Sequence, residues 1–404
     1  MKAEAERDEG DGGHGGETLP TGWSPDDLRA RCRSILEAAW RPRPDGSGFC
    51  VPNPSTYPWQ WLWDSCFHAV VWTRLGDDRG WRELAGALRA QGPDGFVPHI
   101  RYDGEVPRSH GELWGSAGAS SITQPPMYGH AVAVLGRTGA PLPDEVVERA
   151  ELGLRFLLER RHRSPAGLVE LCHPWESGCD DSPRWDSVVR GGWDPQRWYA
   201  AKGDLVGPIE RSVTGGPLHN PGFAIGGVGF SALVAWNALE LATVTDDRGL
   251  RDAAGSLAAA VDARWDESLG TWVDDGPTAG GSGRVRTLDA LLPLLVCPRA
   301  EAFATLDDAD AFQATCGPRG VDAREPVYEP TRYWRGPAWP QLTYLLWLAA
   351  TSGRAEGLPA SLSRSMLAGA TRSGFSEYWE PSSGAPLGAA PQSWTALSCV
   401  MVDA

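Results

Sequence analysis

Apolar residues recur at three- and four-residue spacing along most of this chain, and the recurrence breaks at short Gly/Pro turns. Residues 24–40, SPDDLRARCRSILEAAW, open with Ser24 as an N-cap and Pro25 at the first helical position. Helical spacing continues over 65–76 and 80–91, with a break at Asp77–Asp78, and then over 127–139, 143–161, 230–244 and 246–265. Further helices are read over 287–295, 309–317, 340–353, 358–374 and 393–402. Clear apolar–polar alternation is almost absent. About a dozen helices paired by short turns, without a fixed-period repeat, predict an all-α fold of the α/α toroid kind. In a barrel of helical hairpins the breaks between helices gather at one rim, and the Trp-rich motifs fall in those breaks.

Composition narrows the function. The 404 residues suffice for one large domain or two to three ordinary ones, and 42% hydrophobic content supports a sizeable core. A net charge of −15 argues against a nucleic-acid partner, because phosphate binding needs fields of Lys and Arg. Lys2 and Lys202 are the only lysines, a bias that reads as genome base composition. No run of 18 apolar residues suggests a membrane span. Residues 1–22 lack the apolar stretch of a secretory signal and are acidic and Gly-rich, so they read as a disordered tail on a cytoplasmic protein. GDGGHGG within that tail is no phosphate loop, since no strand precedes it. The eight cysteines form no CxxC pair, which argues for reduced thiols and against a zinc site. Twenty tryptophans stand against nine phenylalanines. Indoles in such excess suggest flat apolar surfaces with a polar tip, on which sugar rings stack.

Four stretches carry candidate chemistry. YPWQWLWDSCFH (57–68) sets Tyr57, Trp59, Trp61, Trp63 and Asp64 at a loop-to-helix junction. Asp64 there either caps the helix or accepts sugar hydroxyls beside an aromatic platform. SITQPPMYGHA (121–131) reads as a helix start, and the amide of Gln124 can bracket two adjacent hydroxyls. HPWESGCDDSPRWD (173–186) crowds Glu176, Asp180, Asp181 and Asp186 between Trp175 and Trp185. Burial and neighbouring negative charge both raise a carboxyl pKa, as a proton donor at neutral pH requires. The plainer reading is an acidic loop paired with Arg184 and Arg190. Finally, TRYWRGPAWPQ (331–341) and SGFSEYWEPSSGAPLGAAPQSWTA (373–396) offer Glu377 or Glu380 as a second carboxylate. Tyr333, Trp334 and Trp339 can form a wall, and Arg335 can hold a carboxylate.

Taken in order, YPWQWLWDSCFH, GFVPHI, SITQPP, WESGCDDSPRWD, YWRGPAW, FSEYWEPSSGAPLG and SWTA resemble glycoside hydrolase family 63 and its relatives, closest to the bacterial mannosylglycerate and glucosylglycerate hydrolases. The likeness runs from about residue 25 to the C-terminus, in keeping with one large domain. It implies an (α/α)6 barrel over 23–404 as a single domain and an inverting mechanism without metal or organic cofactor. It further implies Asp180 as general acid and Glu377 as general base, with Asp181 and Asp186 in support and Glu176 one layer further out. Tyr57, Trp61, Asp64, Gln124, Tyr333, Trp334 and Trp339 fall on sugar- or aglycone-binding positions. The substrate implied is a small α-linked glycoside: glucosylglycerate, mannosylglycerate or a short α-glucoside. Residues 200–230 depart from the pattern, with Arg211 standing only loosely where relatives carry an Arg for the aglycone carboxylate. Six glycines between 215 and 229 suggest a mobile rim. An inverting pair should hold its carboxyl groups about 6.5–9.5 Å apart. Two other readings stay open on the residues: a sugar epimerase or isomerase using His68, His99, His173 or His219, and a non-catalytic carbohydrate-binding protein. A homo-oligomer is compatible with all three.

Overall fold

The computed structural model describes residues 22–402 apart from 117, 140, 141 and 281, so the tail expected over 1–22 lies, but for Gly22, outside the described residues. The first helix, Pro25–Ala39, starts as its sequence dictates. Ser24 Oγ accepts the Asp27 N–H at 3.1 Å while the Asp27 carboxylate takes the Ser24 N–H, closing a capping box. Most of the expected helices follow within a few residues of their read bounds.

The exceptions have local causes. Residues 287–295 and 393–402 form 3₁₀ helices, Leu288–Leu295 and Ser393–Cys399. Pro293, which has no N–H to donate, sits inside the first of these. Residues 309–317 are not helical but a run of turns. Asp308 gathers the nearby amides, its carboxylate taking the Asp310 N–H and its carbonyl those of Ala311 and Gln313. Three short helices, Arg108–Trp114, Pro195–Asp204 and Ala300–Leu306, were not expected. The second had a legible start, since Asp194 accepts the N–H groups of Gln196 and Arg197 just before Pro195.

Six buried elements pack in sequence: Leu62–Arg74, Tyr128–Arg137, Val228–Thr245, Leu288–Leu295, Pro340–Ser352 and Ser393–Cys399. Each lies against the next, and the last returns to the first. An outer helix backs each of them, in order Arg79–Leu88, Asp144–Arg155, Arg248–Asp262, Ala300–Leu306, Leu358–Arg372 and Pro25–Ala39. The outer helices are one-sided. Arg248–Asp262, for example, buries Leu250, Ala254, Leu257 and Val261, a single stripe. The inner ones are apolar around most of their circumference. Val228–Thr245 is long and apolar enough to cross a membrane, but 72% of it is buried inside the protein as the third inner element.

The strands of the described residues are two or three residues long and make six antiparallel pairs, too short to register as alternation. They pin the loops that enter the inner helices, as Gln60–Trp61 does with Ile100–Arg101 and Tyr378–Trp379 with Pro386–Leu387. Several of the glycines of 215–229 sit at close approaches, while Gly215 faces open space. A Cβ on Gly226 would meet Ser164 Oγ at 2.5 Å, and one on Gly229 the Asp289 carbonyl oxygen at 2.5 Å. All eight cysteines are free, and all but Cys297 are buried.

Candidate active site

Residues in or just before the first turns of Leu62–Arg74, Tyr128–Arg137, Pro340–Ser352 and Ser393–Cys399 line one cavity. Eight of the ten residues singled out from the sequence line it: Tyr57, Trp61, Asp64, Gln124, Asp180, Tyr333, Trp334 and Glu377. Trp339 stands directly behind the wall, stacked on Trp334 at 3.6 Å and 5°. Arg211 does not line the cavity. Its guanidinium is taken up by the Ser121 carbonyl and hydroxyl and by the Gly215 carbonyl. That places it against the loop that carries Gln124.

Asp180 and Glu377 face the same space, each with a tyrosine. Tyr333 Oη donates to Asp180 Oδ2 at 3.3 Å, and Tyr57 Oη donates to Glu377 Oε1 at 3.1 Å. Burial pushes the Asp180 carboxyl up to about 7. The Lys202 ammonium works against that rise, and the Asp181 carboxylate adds to it. Burial also raises Glu377, against the Ala389 N–H bond (3.0 Å) and the Tyr57 hydroxyl, which favour its ionised form. Glu380 is drawn away: its carboxylate caps its own turn through the N–H groups of Ser382 and Ser383 and lies below the usual range.

The acidic run at 173–186 resolves into one unpaired acid among three paired ones. Glu176 is fully buried and grips Arg161 through both oxygens, at 2.6 and 3.0 Å, while accepting the N–H of Thr123 and of Cys172. Asp181 takes Lys202 at 2.6 Å and the Trp198 indole N–H at 2.8 Å. Asp186 holds Arg335 through two bonds of 2.8 Å. Arg184, expected to pair within the run, instead bridges Asp274 and Asp289, and Arg190 is exposed. Asp180 alone of the four has no salt-bridge partner among the described residues, and the Trp185 indole fixes the backbone beside it by donating to the Cys179 carbonyl at 2.8 Å.

Local backbone geometry serves the same end. Gly178 sits at φ +74°, and a Cβ there would meet the Trp63 ring at 2.6 Å, so the turn two residues before Asp180 admits only glycine. Trp334 and Phe375 hold left-handed φ of +58° and +63°, the one in the cavity wall and the other two residues before Glu377. Such strain collects at functional sites. Asp64 lies in the first turn of Leu62–Arg74, whose N-cap is Trp61, so its side chain is not spent on capping. It is 3% exposed, burial holds its carboxyl well above the usual range, and its Oδ1 has no hydrogen-bond partner. Trp61 Nε1, Trp334 Nε1 and Gln392 Oε1 are likewise buried in the lining and unpartnered. A polar atom so placed costs free energy unless a ligand satisfies it.

Sequence reasoning missed Pro52 and Gln392 in the lining and left Trp63 and Trp394 unassigned. Gln392 and Trp394 flank Ser393 at the start of the last inner element, and the SWTA motif was the available signal. The histidines considered for an epimerase do not reach the cavity. His99 and His173 are buried and pushed down to about 3 and about 4 by desolvation, His68 bonds Ser393, and His219 bonds Glu170.

The mannosylglycerate hydrolase MGH1-like glycoside hydrolase domain matches this chain over residues 57–395. Among curated relatives, the mannosylglycerate hydrolase of Thermus thermophilus is 30% identical over 399 residues, covering 86% of this chain and 95% of that protein. The glucosylglycerate hydrolase of Mycolicibacterium hassiacum is 30% identical over 447 residues, covering 93% and 97%. The crystal structure of a glycoside hydrolase family 63 mannosylglycerate hydrolase from Thermus thermophilus, in complex with Tris and D-glycerate, matches with a TM-score of 0.77 at 27% identity, covering 93% of this chain and 99% of that one.

Proposed function

The chain belongs to the mannosylglycerate hydrolase MGH1-like glycoside hydrolase family, and from that premise we propose that it cleaves a small α-linked glycoside with inversion of the anomeric centre. The substrate is mannosylglycerate, glucosylglycerate or a short α-glucoside, the first two being those by which its relatives are named. The observation that carries the reading is the pair of carboxyl groups on one cavity, with Asp180 half-protonated near neutrality.

Asp180 donates its proton to the leaving oxygen. Glu377, held by Tyr57 and the Ala389 N–H, takes a proton from the attacking water on the opposite face of the sugar. Asp64 and Gln392 accept sugar hydroxyls at their open oxygens, Gln124 brackets a further pair, and Trp61 and Trp334 supply apolar faces. The two carboxyl groups carry the chemistry. Asp181, Asp186 and Glu176, each bound to its own cation, position the loop. The cyclic packing order supports an (α/α)6 toroid formed by one domain over 23–404.

The test is anomeric proton NMR on the purified protein with a panel of α-mannosides and α-glucosides that includes both glycerate conjugates. Initial release of the β-anomer is expected, and the substrate turned over names the sugar. Initial release of the α-anomer would contradict inversion, and a protein that binds but never hydrolyses any of them would contradict catalysis.

A further inference from the structure

Two clusters of metal-ligating side chains occur among the described residues, with donor atoms in each within 4.8 Å of one another: Cys50, His68 and Glu83, and His162, Glu170 and His219. The first is closed. Its Glu83 carboxylate accepts the Cys50 N–H at 2.7 Å and the Ser65 hydroxyl at 2.7 Å, and His68 Nε2 meets Ser393 Oγ at 2.6 Å. All three side chains are buried, and an ion entering there would displace each of those bonds.

The second is open on one side. Backbone bonds assemble it from three segments: the His162 N–H donates to the Leu218 carbonyl at 3.1 Å, and the Glu170 N–H to the His162 carbonyl at 3.0 Å. Its residues are therefore neighbours by register, not by a side-chain contact alone. His219 Nδ1 lies 2.6 Å from Glu170 Oε2, and the His219 ring stacks on that of His162 at 4.8 Å and 25°. Glu170 is buried, His219 partly so, and His162 is exposed. Among the described residues, neither His162 ring nitrogen nor His219 Nε2 has a hydrogen-bond partner. Glu210 is paired directly across the hairpin from His219, so its exposed carboxylate shares that face.

We propose that His162, Glu170 and His219 bind a divalent transition metal, Zn²⁺ before others. Two imidazoles and a carboxylate form a borderline donor set that suits such ions, and three protein ligands leave room for water. Adjacent ligands on zinc stand about 3.3 Å apart, so the Nδ1–Oε2 contact widens as the ion enters, and the exposed His162 side chain turns to meet it. The ion ties the hairpin Glu210–Arg211/Pro217–His219 to the strand Glu170–Leu171, which runs on into the Asp180 loop. It takes no part in the hydrolytic step. The donor set contains no cysteine, which is why cysteine spacing could not announce it.

The site is tested by binding, independently of hydrolysis. Untagged full-length protein, stripped with a chelator, is titrated calorimetrically with ZnCl₂, and with CoCl₂ while visible absorption is recorded. One equivalent of zinc and a cobalt ligand-field band are expected. His162→Ala, which removes an exposed side chain, and His219→Ala should each weaken zinc binding at least about tenfold. Cys50→Ser, in the closed cluster, should leave it unchanged. Zinc should raise the melting temperature of the parent protein and not of His162→Ala. The proposal is overturned by no zinc uptake in the parent, by uptake unaltered in both histidine variants, or by its loss in Cys50→Ser.

Discussion

At the scale of single residues, the chemistry rests on protonation states, and those set the pH profile. In the proposed mechanism Asp180 acts only while protonated, so turnover should fall as pH rises through about 7. In the same mechanism Glu377 acts only while ionised, so turnover should fall as pH drops through a value above that of an ordinary glutamate, because burial raises it. A narrow bell is expected in kcat/KM against pH, its alkaline limb near 7. Asp180→Asn and Glu377→Gln should each lose about 10²–10⁴-fold in kcat with an unchanged circular dichroism spectrum. Asp64 separates stability from function. Its carboxyl is buried with an open oxygen and burial favours its neutral form, so Asp64→Asn should leave the melting temperature little changed while lowering kcat/KM about 2–10-fold, the worth of a neutral hydrogen bond of about 0.5–1.5 kcal/mol. Residues of this kind were legible in the sequence because their surroundings are abnormal: acids beside indoles, or a polar side chain next to Pro-Pro. Arg211 was less legible for the opposite reason. A lone arginine announces a charge but not its partner, and here the partners are mainly backbone carbonyls.

At the scale of elements, buried ion pairs hold the site loops. Arg161 and Glu176 join the strand-to-loop segment at 172–176 to the loop at Thr123, with both side chains fully buried. Arg161→Met leaves the Glu176 charge buried without its cation and should cost about 3–5 kcal/mol in the denaturant unfolding midpoint. Gly178→Ala should cost about 1–3 kcal/mol in the same measurement from the left-handed backbone alone. The clash with Trp63 should also move Asp180 and depress kcat. Long amphipathic helices were readable because a stripe repeated over three or four turns outweighs local noise. Arg108–Trp114 and Ala300–Leu306 were not, since each spans seven residues, too few for a period to establish itself. Residues 309–317 have apolar spacing compatible with a helix, but Asp308 offers the backbone a better-satisfied turn.

At the scale of the whole molecule, helices paired by short turns were visible as periodic segments, though the outer helix Ala300–Leu306 was not. The order of their packing was not, because contacts between distant segments leave no local trace in a chain read alone. The inner series closes on itself: Ser393–Cys399 lies against both Leu62–Arg74 and Pro25–Ala39. That closure packs Pro25–Ala39 against Ser393–Cys399, with Cys32 Sγ and Ser398 Oγ 3.8 Å apart, while Trp23 lies on Phe375 and the Met401 carbonyl accepts the Ser363 hydroxyl. The exposed turn at 353–357, meanwhile, follows the C-terminal end of Pro340–Ser352, at the opposite rim from the cavity. The connectivity of the polypeptide is thus separable from its architecture. A circular permutant, with residue 402 joined to 24 through a Gly/Ser linker long enough to run the length of Leu358–Arg372, and new termini opened between Arg354 and Ala355, should keep its melting transition and its hydrolytic rate, because every helix retains its neighbours.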